Sequence, residues 1–130
     1  MNVNGLDHLV LTVADMAVTI RFYRDVLGME PERFVPADGS ERWALKFGAQ
    51  KINLHQAGRE FEPKARMATA GSADMCFLSE MALDDWQVHL QGQKVEVIDG
   101  PVQRTGAAGP IMSIYIRDPD GNLLEISNQL

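Results

Sequence analysis

Between Leu6 and Val13 the chain reads LDHLVLTV. In an extended strand Leu9, Leu11 and Val13 fall on one side, with Leu6, His8, Val10 and Thr12 on the other. Asp15 then stands where a helix cap belongs, Val18, Phe22 and Val26 recur at helical spacing, and Gly28 supplies a stop. Three short strands are predicted next, Met29–Val35, Arg42–Phe47 and Lys51–His55. Turn residues separate them, first Ala37-Asp38-Gly39-Ser40 and then Gly48-Ala49-Gln50. Gln56–Gly71 shows no period and reads as a connector. After it the pattern restarts. Ala73–Ser79 is a strand, Leu83, Trp86 and Leu90 mark a helical face closed by Gly92, and Val95–Ile98, Ile111–Arg117 and Leu123–Ser127 supply three more strands. The last two are joined by Asp118-Pro119-Asp120-Gly121-Asn122, a turn with one residue of fixed φ and one tolerant of positive φ.

The rhythm is strand, helix, three strands, stated twice. It predicts an α+β fold of two βαβββ modules, residues 5–56 and 72–129, with 57–71 between them and residues 1–130 as one domain. A ferredoxin-like βαββαβ fold shares part of this pattern, but eight strands and two helices fit the repeat better. Aligning the halves sets His8 opposite Asp74 and Gly28 near Gly92.

Charge and cysteine usage narrow the function classes. A net charge of −6 with no basic stripe argues against nucleic acid as a partner. Cys76 is the single cysteine, which excludes an internal disulfide and suits a reducing compartment. No apolar run approaches the roughly 20 residues of a membrane span, and MNVNGLDHLV has no signal-peptide pattern, so no membrane partner and a cytoplasmic location are expected.

Three polar residues interrupt apolar strands: His8 in the first, Asp74 at the start of the fifth, Glu125 in the last. Carboxylates are disfavoured inside strands and are rarely buried without a partner. A divalent cation would satisfy imidazole nitrogen and carboxylate oxygens together. Each residue also has a plainer role: His8 as a packed core residue, Glu125 as a cross-strand partner of Arg117, Asp74 as a loop cap. Their matching places in two repeats favour the metal.

His8 in LDHLVLTV, Phe22-Tyr23, Leu27-Gly28 and Ile116 through Glu125 together resemble the vicinal oxygen chelate superfamily of glyoxalases, bleomycin resistance proteins and extradiol dioxygenases. The resemblance covers nearly the whole chain. Lys51–His55, Glu60–Lys64 and Gly100–Ile111 resemble the glyoxalase-domain-containing protein 5 group within it. It implies a cup-shaped mixed sheet of eight strands, a metal held from first and last strands, and a homodimer. His8 matches the family's first-strand ligand and Glu125 its last-strand ligand. Asp74 stands where histidine is common, and Asn53 where glyoxalase I has glutamate. His55, two residues beyond Asn53, enters the site through a register shift as a ligand or else supports it from behind.

The expected metal set is therefore His8, His55, Asp74 and Glu125, holding Ni, Zn, Mn or Fe. The resemblance implies a glyoxalase-type, lactoylglutathione lyase-like enzyme acting on a small oxygenated molecule that chelates the metal. Glu125 is its expected base and Tyr115 a hydrogen-bonding group, with Arg104 and Asn53 binding substrate. Arg104 falls in Gly100–Pro110, a glycine-rich stretch that reads as a lid or a plain connector. Lys64 invites the same anion-binding role as Arg104. Two alternatives follow from the same resemblance: an extradiol-type ring-cleaving dioxygenase, and a metal-free drug- or metabolite-binding protein of bleomycin-resistance type.

Overall fold

The structure is a computed structural model describing all 130 residues. The chain divides into two compact units, Met1–Ala70 and Gly71–Leu130. Residues 57–70 of the connector belong to the first of them, and Gly71 opens the second.

In the first unit β1 (His8–Val13) is followed by α1 (Met16–Asp25), β2 (Glu30–Phe34), β3 (Arg42–Phe47) and β4 (Gln50–Gln56). The sheet order is β1-β4-β3-β2, with β1 parallel to β4 and the other pairs antiparallel. Alternation works as the sequence predicts: Leu11, Val13, Leu45, Ile52 and Leu54 are buried against the helix side. Asp15 caps α1, its carboxylate accepting from the Val18 N–H at 3.0 Å. The buried helix face runs Thr19–Tyr23–Val26: it keeps the predicted Val26, while Thr19 and Tyr23 stand one residue on from the predicted Val18 and Phe22. Gly28 at φ +72° lets the Met29 N–H reach back to the Tyr23 carbonyl at 3.0 Å, which ends the helix.

The second unit repeats this order as β5 (Asp74–Leu78), α2 (Leu83–Gly92), β6 (Asp99–Gly106), β7 (Gly109–Arg117) and β8 (Leu123–Gln129). Its sheet runs β5-β8-β7-β6, with β5 parallel to β8. Leu83, Leu90, Ile114, Ile116, Leu124 and Ile126 form its core. Gly92 lies within α2, and the left-handed residue that follows is Lys94 at φ +59°.

The predicted strand Val95–Ile98 is displaced to Asp99–Gly106, so the expected lid is one arm of a β-hairpin with its tip at Ala107–Ala108. Pairing decides here over local composition: the β6 backbone finds a full partner in β7 despite its glycines. The register shifts between Asp99 and Val102. Gly100 sits there at φ +95°, and a Cβ on it would lie 2.3 Å from the Ser113 carbonyl oxygen, so only glycine fits. Neither helix is long and apolar enough to cross a membrane.

Candidate functional site

In the second unit the turn between β7 and β8 is itself a positioning device. The Asp118 carboxylate accepts from the Asp120 and Asn122 N–H groups at 2.9 Å and from the Asn122 side-chain amide at 2.8 Å. The Asn122 side-chain oxygen then accepts from the Ala73 N–H at 2.8 Å, and Asn122 is wholly buried. This fixes the start of β5, and with it Asp74, beside Leu123 of β8.

Leu124 and Ile126 point to the helix side, so Glu125 between them points to the opposite face. Its register neighbours there are Cys76 on β5 and Tyr115 on β7. Asp74 is two residues from Cys76 on the same face, a diagonal neighbour of Glu125. The Ser113 hydroxyl donates to Oε2 of Glu125, and Ser113 and Ser127 hydroxyls lie 2.7 Å apart. Cys76 Sγ is 3.3 Å from the Ser127 hydroxyl. Arg104 Nε donates to the Tyr115 hydroxyl at 3.0 Å, and its guanidinium is 3.8 Å from Asp99. Glu125, Cys76 and Arg104 line a cleft of about 430 Å³, with Leu78, Ile111, Gln129 and the hairpin residues Thr105–Ala108 as the remaining wall. A carboxylate, a guanidinium and apolar walls suit a small oxygenated anion.

In the first unit His8 opens β1 with Nδ1 2.8 Å from the Asp7 carboxylate, so Nε2 is the nitrogen a metal would take. His8 pairs with Lys51 and Thr12 with His55, four residues along the strand and roughly 13 Å apart. Side chains standing perpendicular to the sheet at that spacing do not share one ion, which corrects the expectation that His55 joins His8 as a ligand. No bulge interrupts the β1–β4 register to bring it nearer.

His55 is instead 6 % exposed. Its ring packs edge-on against Phe61 at 5.4 Å, and the Arg42 guanidinium covers that phenyl at 3.9 Å. Burial first, then the Arg42 charge, pushes the His55 pKa below the ordinary imidazole value, against a smaller upward pull from Glu60. Glu60, whose side chain is 8 % exposed, ion-pairs with Lys64 at 3.6 Å, which occupies the lysine expected to be free for an anion. Its carboxyl is held low chiefly by its own backbone N–H. Asn53 faces the same side as His8 and His55, and its buried Oδ1 has no hydrogen-bond partner.

Of the predicted residues, the structure brings Glu125, Tyr115, Arg104 and Asp74 onto one face and leaves His55 with Phe61. No three His, Cys, Asp or Glu side chains gather around a point that could hold a metal ion. Carboxylate and imidazole are donor types that a divalent cation takes. In the second unit the Glu125 carboxylate lines the cleft, and in the first His8 carries the carboxylate partner that orients metal-binding imidazoles. Sequence reasoning missed Ser113 and Ser127 as participants, although both are hydroxyls at the parity of Tyr115 and Glu125 inside apolar strands.

Comparison with known proteins adds the following. Residues 5–126 match the family described as Glyoxalase/Bleomycin resistance protein/Dioxygenase superfamily. Virulence protein STM3117 of Salmonella typhimurium is 54% identical over 127 residues, 98% of this chain and 85% of that protein. Glyoxalase domain-containing protein RDO1 of Mycosarcoma maydis is 54% identical over 128 residues, 98% of this chain and 70% of that protein. The crystal structure of lactoylglutathione lyase from Agrobacterium tumefaciens superposes with a TM-score of 0.73 at 25% identity, covering 98% of this chain and 95% of that one.

Proposed function

We propose, from the premise that this chain belongs to the Glyoxalase/Bleomycin resistance protein/Dioxygenase superfamily, that it is a divalent-metal enzyme of glyoxalase type acting on a small oxygenated anion. One observation carries the reading: a half-buried carboxylate, Glu125, with one oxygen already hydrogen-bonded, lines a cleft that also holds Arg104. Glu125 and Asp74 are the donors proposed in the second unit, and His8 Nε2 is the donor proposed in the first. When bound, the ion would polarise neighbouring substrate oxygens.

The chain's own residues account for the rest. Arg104 would meet the anionic end of the substrate with the guanidinium nitrogens not given to Tyr115. The Tyr115 hydroxyl accepts from Arg104 and so keeps its own proton to donate to a substrate oxygen. Leu78, Ile111 and the hairpin tip would exclude water from the apolar end. These same apolar walls favour a second reading, a metal-free metabolite- or drug-binding protein.

Elemental analysis of protein purified without a chelating tag separates the two. Near-stoichiometric metal in the wild type, lost in Glu125→Ala, is the expected result, and its identity directs the assay to isomerisation or to ring-opening with oxygen. Wild-type protein that takes up no Ni, Zn, Mn or anaerobic Fe would leave the binding-protein reading.

A further inference from the structure

The hairpin that walls the cleft ends in two residues that its backbone does not call for. Turn tips favour Gly, Asn, Asp, Ser and Pro, each for a conformational reason. Ala107 and Ala108 fill this one, both are exposed, and neither takes positive φ. Their neighbour Gly106 is fixed by packing, because a Cβ there would lie 2.7 Å from the Gly109 carbonyl oxygen. No backbone demand of that kind accounts for the two alanines. What they do is line the cleft, and each offers it only a methyl group.

The cleft has two chemically different ends. Glu125 and Gln129 both line it and stand four residues apart on β8, roughly 13 Å. Beside Glu125 on β7 is Tyr115, whose hydroxyl accepts from Arg104 Nε. Arg104 starts opposite Ile111 and leans back along the sheet to reach that hydroxyl, so its charge sits at the Glu125 end. Beside Gln129 on β7 is Ile111, and the hairpin tip follows it. A ligand that meets the guanidinium and fills the cleft therefore carries its charge at one end and an apolar body toward the tip.

We infer that Ala107 and Ala108 are specificity-determining residues, which keep the far end of the cleft open and so select an anion with an elongated apolar body over a compact one. The inference rests on the anion-binding half of the reading above and not on the metal. Burial of the elongated body against Leu78, Ile111 and the two methyl groups adds affinity that a compact anion lacks. Larger side chains at the tip would take up that space.

Isothermal titration with a chelator present tests this with two probes, biphenyl-4-carboxylate, whose second ring reaches toward the tip, and benzoate, which stops short of it. The proteins are wild type, Ala107→Leu, Ala108→Leu and Ala49→Leu. Ala49 stands in the matching turn of the first unit, between Phe47 and Gln50, and is not part of the cleft wall. Wild type is expected to bind the biphenyl acid at least about 10-fold more tightly than benzoate. Each tip variant should lose about 10-fold for the biphenyl acid and less than about twofold for benzoate. Ala49→Leu should leave both constants as they are.

Equal losses for the two acids would show that the tip shapes the cleft as a whole, and unchanged biphenyl affinity would show that the tip does not bound it. Either result overturns the inference, as does a wild type that prefers benzoate. A wild type that binds neither acid removes Arg104 as an anion site and the inference with it. Absence of metal in the elemental analysis, by contrast, leaves these constants untouched. Should one tip variant fail to fold, the other decides, since both alanines are exposed and line the same wall.

Discussion

The two units use one sheet plan with different side chains at matching places, and the contrast separates scaffold from chemistry. His8 and Asp74 each open the edge strand of their sheet, and each pairs in parallel with the last strand. Counting from those pairs, Asn53 matches Glu125, His55 matches Ser127, and Ala44 matches Tyr115. In the second unit these places hold a carboxylate that lines the cleft, a buried hydroxyl and a phenol bonded to Arg104. In the first they hold an amide with an unpartnered oxygen, an imidazole sealed by Phe61, and an alanine. The backbone supplies the same positions twice, and a few side chains make the two faces chemically different.

The edge strands are also tethered unequally, and here the largest effect is expected. Asn122 is fully buried, takes the Ala73 N–H and gives its amide to Asp118. Gln50 performs the matching task in the first unit, its half-buried side chain donating to the Leu6 carbonyl at 2.9 Å in a solvent-exposed bond. Asn122→Ala leaves a buried carboxylate and a backbone N–H short of partners and should cost about 3 kcal/mol, whereas Gln50→Ala should cost about 0.5 kcal/mol or less. Urea unfolding of both variants checks this, and equal losses would show that the Asn122 network is not the stronger tether.

Ligand binding should divide the units as sharply. Glu125→Ala is expected to lower zinc affinity at least about 100-fold, close to 2.7 kcal/mol, while Asn53→Ala changes it little. Isothermal titration of the two proteins reads the difference. A loss at Asn53 as large as at Glu125 would mean that the first unit supplies the principal donor.

How much of this was legible in the sequence follows from which forces wrote it. The alternation of Leu9, Leu11 and Val13 and the Asp15 cap are local, and they placed β1 and α1 within two residues. The DPDGN turn was legible for the same reason, because its hydrogen bonds close on themselves. β6 was not, since Gly100 and Pro101 look like a loop until β7 offers them a partner across a bulge. At the site, Glu125 showed itself as a charge among Leu and Ile. Ser113 and Ser127 did not, because a serine in a strand signals nothing until its neighbour across the ladder is known. His55 was over-read: the sequence shows its parity with Asn53, but only the register with β1 shows its distance from His8.

A smaller effect would sharpen the match between Asn53 and Glu125. Asn53 stands diagonally from His8, as Glu125 does from Asp74. Asn53→Glu would set a carboxylate beside His8 where an amide oxygen now lacks a partner. Without metal that buried charge should destabilise the first unit. With metal it should tighten zinc binding by about tenfold, near 1.4 kcal/mol. Unchanged affinity would remove His8 from the set of proposed donors.

The smallest effect concerns pH, and it belongs to the first unit alone because its matching residue, Ser127, does not titrate. Burial beneath Phe61 and the Arg42 charge hold the His55 pKa below its ordinary value of about 6.5. The unfolded chain therefore takes up the proton first as pH falls. The contribution of a neutral His55 to stability is complete above about pH 6.5 and declines below it, toward the lowered folded-state pKa. Glu60 works in the opposite sense and in a lower window: its carboxyl is held below the ordinary value, so its contribution is lost only as pH falls under about 4.3. His55→Gln should thus flatten the stability profile just below about pH 6.5 and leave the acid limb intact. Thermal melts of the two proteins across that range decide it: parallel profiles would mean that the ring is already open to protonation in the folded state, and that Phe61 does not seal it.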